Sequence, residues 1–206
     1  MQQEGLAQKI LIIDLDVHQG DGTAWIFKDD PSVFTFSMHC DINFPGTKQD
    51  SDLDVGLTEG MGDDDYLQTL DRYLPDLLHQ TKPDLVLYDA GVDPHIGDKL
   101  GKLCLTDSGI YRRDMQVISA CLSGGYPIAT VIGGGYCEDF NALVYRHSLV
   151  HRAASVLNQL PKSAIDTEKL VSQTCIVRQN QPTGTFYIIG KTNLRIDVFL
   201  KKFFDS

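Results

Sequence analysis

Three short apolar runs separated by helical patterns limit the folds that are open to this chain. Each run is followed within a few residues by polar or glycine-rich sequence. Such an alternation is typical of a parallel sheet covered by helices, and ligands bind beyond the carboxyl ends of its strands. We therefore predict an α/β fold with its functional residues just after the strands. The predicted strands are residues 9–15, 83–91 and 126–135, with a further β-rich run at 32–39.

The segments between these runs have the spacing of amphipathic helices. In the first of them, apolar residues recur at helical spacing and acidic residues fill the first turn, where the helix dipole favours them. Pro75 predicts a bend in that helix. The second begins with cap-type residues and ends in glycines, as helices tend to. The predicted helices are residues 63–80, 107–125 and 138–160.

The first strand ends in ionisable side chains, within the sequence "DLDVHQGDGT". Side chains alternate across a strand, so Asp14, Asp16 and His18 lie on one face, while the apolar residues between them lie on the other. Burying neighbouring carboxylates costs several kcal/mol each unless a cation compensates them. A bound metal ion is the economical explanation of this arrangement, although a capped strand end with a surface histidine is an equally good interpretation of these residues alone.

The second run supplies another carboxylate, Asp93, just past its strand in "YDAGVDPH". Asp16, His18 and Asp93 would form a three-ligand site with a coordination position left for water or substrate, as catalytic sites have. Zinc accepts mixed imidazole and carboxylate ligands. Iron(II) in a reducing cytoplasm would fit as well, because affinity order alone does not decide metal identity.

The third run ends in "IGGGYCED". Gly134 and Gly135 permit close approach of the backbone and an abrupt turn, which would place Tyr136 at the same edge of the sheet. A tyrosine hydroxyl opposite a metal can donate a hydrogen bond to the oxyanion that develops on a polarised carbonyl, which is amide hydrolysis chemistry. A packed tyrosine is the simpler interpretation of Tyr136 alone. A phosphate-binding glycine loop is a further alternative, but the sequence lacks G-x-G-x-x-G and places acids beside the glycines.

The composition of the chain argues against some classes of binding partner and indicates its cellular compartment. The net charge of -10 argues against direct binding of nucleic acid, which is usually held by clustered Lys and Arg. The five cysteines include no C-x-x-C pair, which indicates a reducing compartment. No stretch approaches the roughly 20 apolar residues of a membrane span, and the first residues are too polar for a signal peptide. We expect a cytoplasmic protein without membrane partners.

The three motifs "DLDVHQGDGT", "DAGVDPHIGD" and "IGGGY", in this order, resemble the histone deacetylase family, including its bacterial deacetylase and acetylpolyamine amidohydrolase relatives. The resemblance covers roughly residues 8–157. It implies an arginase-like, three-layer α/β fold with a mainly parallel sheet, and zinc-dependent hydrolysis of acetyl-lysine or acetylpolyamine amides. It also implies that Asp16, His18 and Asp93 are the zinc ligands and that Tyr136 polarises the substrate carbonyl.

The same resemblance assigns supporting roles to further residues. Asp14 and Asp21 correspond to the aspartates that support two catalytic histidines in the family. Asp14, Asp16 and the region of Ser37 resemble a structural potassium site. Phe44, in "NFPG", resembles one wall of a narrow substrate tunnel, and Gly134 and Gly135 are expected to border the substrate.

Two departures from the family matter. The tandem His-His pair that serves as general base and acid is absent from this sequence. We therefore expect the chain to be the C-terminal part of such an enzyme, with the N-terminal portion missing, impaired activity and a sheet edge exposed for association. Residues 1–160 would form the partial catalytic domain, whereas residues 161–206 are a tail of unclear origin, expected to lie outside the metal site.

Other readings remain open at this point. His39 and His95 are candidate replacement bases, although a solvated loop histidine is the simpler reading of His95, and His147 and His151 read as helix-surface residues. A binuclear manganese ureohydrolase of the same fold would need an aspartate where Gly20 stands. Besides the zinc amidohydrolase and the ureohydrolase, a third possible function is that of a non-enzymatic remnant that binds metal or a partner. The missing histidine pair is the main support for this hypothesis.

Overall fold

The computed structural model describes residues 1–159 and two further strands, at 174–177 and 186–189. A short 3₁₀ helix, Gln2–Glu4, precedes the first strand. The strands are β1 Ile10–Asp14, β2 Val33–Cys40, β3 Leu53–Leu57, β4 Leu85–Asp89, β5 Ile128–Val131, β6 Thr174–Val177 and β7 Phe186–Ile189. The helices are α1 Asp21–Phe27, α2 Asp63–Thr81, α3 Asp107–Gly124 and α4 Phe140–Gln159.

All seven strands join one sheet in the order β3-β2-β1-β4-β5-β7-β6. The five strands from β3 to β5 pair in parallel, whereas β7 pairs antiparallel with β5 and with β6. The prediction of a mainly parallel α/β sheet is confirmed. Because β6 and β7 belong to the predicted tail, part of that tail extends the sheet, and the edge strands are β3 and β6.

The main core lies on one face of the sheet. Leu11, Ile13 and Leu15 are fully buried there and pack in one cluster with side chains of α2, α3 and α4. The opposite face carries a smaller cluster at the start of the strands, where Ile10 packs near Phe27 of α1. Helices therefore lie on both sides of the sheet, and the polar residues at the carboxyl ends of the strands extend beyond both clusters.

Local sequence explains where α3 begins and ends. Thr106 caps its start, because the hydroxyl oxygen accepts a hydrogen bond from the amide of Gly109. Gly125 ends it in the left-handed conformation, with φ of 74°. Pro75 lies within α2, which runs unbroken to Thr81. None of the helices in the described part of the chain combines the length and apolarity needed to cross a membrane.

Helix α4 ends at Gln159, and the predicted domain boundary at residue 160 stays a prediction. Apart from the backbones of β6 and β7, the tail lies outside the described residues. The expectation that the tail takes no part in the metal site therefore also stays a prediction.

Leu70 tests how far α2 stabilises the fold. Its side chain is completely buried in the main core. We expect Leu70→Ala to lower the free energy of unfolding by about 2–5 kcal/mol, because the substitution removes apolar contacts and leaves a cavity. Urea denaturation followed by circular dichroism measures this loss. Pro75→Ala, at an exposed position of the same helix, serves as the control and should not destabilise the protein comparably.

Candidate metal centre

The three polar motifs meet at the carboxyl edge of three neighbouring strands. Asp14 ends β1 and Asp16 and His18 follow it, while Asp93 lies four residues beyond the end of β4. The glycine run and Tyr136 follow β5. Because β1, β4 and β5 are adjacent and parallel, segments far apart in the sequence are brought to one place.

Asp16, His18 and Asp93 converge closely. The Nδ1 atom of His18 lies 2.9 Å from Oδ1 of Asp16 and 3.1 Å from Oδ2 of Asp93. One ligand atom from each residue lies within 4.8 Å of the others. The backbone amide of Val17 also donates to Oδ1 of Asp93, at 2.8 Å. The donors are one imidazole and two carboxylates, a set that suits a divalent ion such as zinc.

Burial and the neighbouring carboxylates shift the pKa values of His18 and Asp93. Hydrogen bonds to Asp16 and Asp93 raise the pKa of His18 to about 10, despite the opposing effect of burial. Burial, supplemented by the charge of Asp16, raises the pKa of Asp93 to about 6. A metal ion at this position would compete with the proton of His18, because metal ligands bind in their deprotonated forms.

Two more carboxylates lie beside this group. Asp14 and Asp89 lie side by side as register partners at the ends of the parallel strands β1 and β4. Burial and the charge of Asp89 hold the pKa of Asp14 well above its ordinary value. Burial and the charge of Asp16 raise the pKa of Asp89 to about 7. Asp89 was not predicted as a site residue, although it precedes Asp93 in "YDAGVDPH". Its place at the end of a strand could have identified it.

Glycine backbones pack directly on the carboxylates. A Cβ atom on Gly134 would collide with carboxylate oxygens of Asp16 and Asp93, and one on Gly133 would collide with Asp89. Gly135 adopts φ of 129°, and a Cβ there would lie 2.8 Å from Cγ2 of Val92. The glycine run is therefore required for close approach of the loop after β5 to these carboxylates.

Two aromatic rings flank His18. The ring of Tyr136 lies edge-on to the imidazole with centroids 5.9 Å apart, and Phe44 does so at 6.5 Å. Both are exposed, Tyr136 to 46% and Phe44 to 68%. Asp98 holds the backbone of the tyrosine, because its Oδ2 accepts from the amide of Tyr136 at 2.6 Å. The contact between Asp98 and Tyr136 was not predicted, because it joins residues that are distant in the chain.

The remaining predicted residues lie at the margins of this group. Asp21 is the first residue of α1. Ser37 pairs in register with Asp14, and its hydroxyl lies 2.9 Å from Nδ1 of His39. Asp14 and Ser37 are both buried, so the three residues of the predicted potassium site include two neighbouring buried groups on adjacent strands.

His95, His147 and His151 are less exposed than the sequence predicted. His95 is only 7% exposed; its Nδ1 accepts from the amide of Gly97, and its Nε2 lies 3.2 Å from Asp107. The reading of His95 as a solvated loop residue is therefore wrong. His147 and His151 are half-buried on α4 instead of lying on its surface, because that helix packs against α3.

Comparison with known protein families identifies the family to which this chain belongs. The histone deacetylase domain model matches residues 1–151 of the chain. The chain belongs to the histone deacetylase family. An uncharacterized protein of Picosynechococcus is 68% identical over 154 residues, which make up 75% of this chain and 51% of that protein. The polyamine deacetylase HDAC10 of Mus musculus is 38% identical over 151 residues, covering 66% of this chain and 22% of the relative.

Solved histone deacetylase structures share the fold. The HDA15 HD domain superposes with a TM-score of 0.60 at 30% identity, covering 73% of this chain and 46% of that domain. The histone deacetylase Clr3 also gives a TM-score of 0.60, at 25% identity, covering 73% of this chain and 27% of that one. These likenesses confirm the predicted arginase-like α/β fold. The chain spans about half the length of its Picosynechococcus relative, so it represents a partial histone deacetylase domain.

Proposed function

We propose that this chain carries the zinc site of a deacetylase that hydrolyses N-acyl amide bonds. The observation that carries the proposal is the convergence of Asp16, His18 and Asp93, whose donor atoms lie within 4.8 Å of one another, in a chain of the histone deacetylase family. When bound, zinc supplies a Lewis acid for the acyl carbonyl and lowers the pKa of water towards ~7. Iron(II) is the second metal that the same donors suit.

Tyr136 is the proposed hydrogen-bond donor to the substrate carbonyl. Its ring stands against His18, and burial together with the charges of Asp16 and Asp93 raises the pKa of its hydroxyl. The phenol therefore keeps its proton at neutral pH and can donate to an oxyanion. The ring of Phe44 also lies edge-on to His18, with centroids 6.5 Å apart, and would contact the acyl chain, while Gly134 and Gly135 would border the substrate.

Asp14 and Asp21 are assigned supporting roles. Asp14 is buried beside the ligands and accepts a hydrogen bond from the backbone amide of Asp16 at 3.0 Å. A potassium ion near Asp14, Asp16 and Ser37 would compensate the charge that burial concentrates there. Asp21 would orient a histidine from another part of the enzyme.

The substrate is proposed to be acetyl-lysine or an acetylated polyamine. Relatives of this chain include histone deacetylase 6 of Caenorhabditis elegans and the polyamine deacetylase HDAC10. The net charge of -10 suits substrates that carry positive charge. The cysteines within residues 1–159 are free thiols, which supports a reducing, cytoplasmic location.

A metal-binding remnant without catalysis is the second candidate, because the sequence contains no His-His pair. Supplying the part of the Picosynechococcus relative that this chain does not match separates the two candidates. Deacylation of acetyl-lysine by the mixture, and not by either part alone, would support a catalytic half. Zinc binding without turnover in the mixture would support the remnant.

Metal content tests the proposal directly. The purified chain, loaded with zinc and dialysed, should retain about one zinc per molecule, because three ligands in one cluster hold an ion in an open site. Inductively coupled plasma mass spectrometry measures the ratio. A folded chain that retains no zinc would contradict the proposed function, and preferential retention of iron under anaerobic loading would assign the site to iron(II).

Gly134 should be intolerant of any side chain. We expect Gly134→Ala to weaken zinc binding by about 10–100-fold, the range for disturbed support of metal ligands, because its Cβ would displace Asp16 and Asp93. Competition with a chromophoric chelator measures the affinity. Gly22→Ala is the matched control, since a Cβ on Gly22 meets nothing within 4 Å. Equal zinc affinity in the two variants would show that the glycine loop does not constrain the ligands.

A further inference from the structure

A buried arginine lies beneath the metal centre, on α3. Arg113 has no exposed surface, and it is the one lysine or arginine that is buried among residues 1–158. Its Nε and Nη2 atoms donate to Oδ1 of Asp114 at 3.0 and 2.9 Å. The hydroxyl of Tyr88 donates to the same oxygen at 2.6 Å. The charge of the guanidinium is therefore balanced within this group.

The third nitrogen of the guanidinium is directed elsewhere. Nη1 donates to the carbonyl oxygen of Leu15 at 3.2 Å and to that of Gly91 at 2.7 Å. Leu15 follows β1 and immediately precedes Asp16, while Gly91 follows β4 and lies two residues before Asp93. One nitrogen thus joins the two chain segments that carry the proposed ligands.

Gly91 is also in close contact with Asp16. A Cβ atom on Gly91 would lie 2.8 Å from Cα of Asp16 and 2.7 Å from its Oδ2. Gly91 is therefore held between the ligand Asp16 and the guanidinium of Arg113. The position of the Gly91 carbonyl therefore determines the distance between Asp16 and the segment that leads to Asp93.

Stability alone does not account for this arginine. A buried ion pair is often no more stabilising than apolar residues of similar volume, and Asp114 occupies only two of the three nitrogens. Because the planar guanidinium fixes the directions of its donors, it can hold both carbonyls in one geometry, which a flexible ammonium group does not enforce.

We propose that Arg113 is a positioning residue for the metal centre, which holds the segments after β1 and β4 at the separation that lets Asp16, His18 and Asp93 share one ion. The proposal rests on the function proposed above. It assigns a role in metal binding to a side chain that touches neither metal nor substrate. The effect of losing it is expected to fall in the range typical of residues that orient metal ligands, about 10–100-fold in affinity.

The test compares three variants of the full chain. Arg113→Lys keeps the buried positive charge but removes the planar group. The triple variant Arg113→Met/Asp114→Leu/Tyr88→Phe removes the ion pair together with the Tyr88 hydroxyl, so no buried charge is left without a partner. Arg112→Met is the matched control, because Arg112 neighbours Arg113 on α3 but is exposed and pairs with Asp64 at the surface. Zinc affinity is measured by chelator competition, cobalt(II) absorption reports ligand geometry, and urea denaturation of the metal-free proteins reports stability.

We expect the Arg113→Lys and triple variants to bind zinc about 10–100-fold more weakly than wild type and to alter the cobalt(II) spectrum, with Arg112→Met unchanged. The triple variant should retain most of the wild-type stability, which separates positioning from structural support. Wild-type affinity and spectrum in either folded Arg113 variant would overturn the proposal. If the wild-type chain itself binds no zinc, the proposed function fails instead, and the two failures are distinguished.

Discussion

The chain in which alanine replaces Asp93 is expected to bind zinc about a thousandfold or more weakly than the unaltered chain, a larger loss than the 10–100-fold typical of groups that only orient ligands. Asp93 contributes a ligand atom to the cluster and is completely buried. Its removal leaves two ligands, which seldom hold zinc in an open site. Chelator competition and metal analysis after dialysis measure the loss.

The variant Asp93→Asn distinguishes the effect of losing the negative charge of the ligand from the effect of disturbing the local structure. The asparagine keeps the shape of the side chain and an oxygen that can accept from the amide of Val17, as Oδ1 of Asp93 does at 2.8 Å. It should therefore fold like wild type and still bind zinc weakly. Asp76→Ala, at an exposed position of α2, is the control for a general loss of negative charge. Equal zinc content in wild type, Asp93→Ala and Asp93→Asn would exclude this centre.

Turnover by the zinc-loaded chain alone is expected to be very low. A typical enzyme turns over about 10 times per second, and a positioned general acid or base contributes roughly 10²–10⁴-fold, so about 10⁻³–10⁻¹ s⁻¹ or less is expected. The sequence contains no His-His pair. The two histidines considered as substitutes are buried and have partners, His39 beside Ser37 and His95 between Gly97 and Asp107.

A fluorogenic acetyl-lysine assay and an acetylpolyamine assay measure this activity. Tyr136→Phe is the informative variant, because it removes the hydroxyl but keeps the ring that stands against His18. It should lower any residual turnover without changing zinc content. Fast turnover that Tyr136→Phe reduces would show that a base exists within this chain, and His95→Ala and His39→Ala would then identify it.

The parts of the fold predicted best were those with a repeating pattern. Strand alternation placed Leu11 and Ile13 of β1 on one face and Asp14 at the polar end of the other. Apolar spacing predicted α2, and cap-type residues, glycines and acidic first turns predicted α3 and α4. Helix α1 was missed because its seven residues are too few to show a clear period. Strand β3 was missed because it is short and contains Gly56, a residue that strands disfavour.

The supporting residues of the metal centre were harder to find than its candidate ligands. Asp16, His18 and Asp93 follow predicted strands, so topology alone indicated that they would meet. The contacts of Asp98 with Tyr136 and of Arg113 with Gly91 join different segments of the chain. Neither leaves a periodic pattern in the sequence, because each depends on how a loop or helix packs against the sheet.

The order in which the centre is assembled has a consequence during protein synthesis. Of these residues, Asp16 and His18 are made first, Asp93 follows β4, and Gly134, which packs on Asp16 and Asp93, follows β5. At about 5–20 residues per second, the ribosome makes Asp16 and His18 several seconds before the glycine loop exists. The nascent chain therefore has no complete centre until the glycine loop has been made, and zinc capture should follow the pairing of β1, β4 and β5.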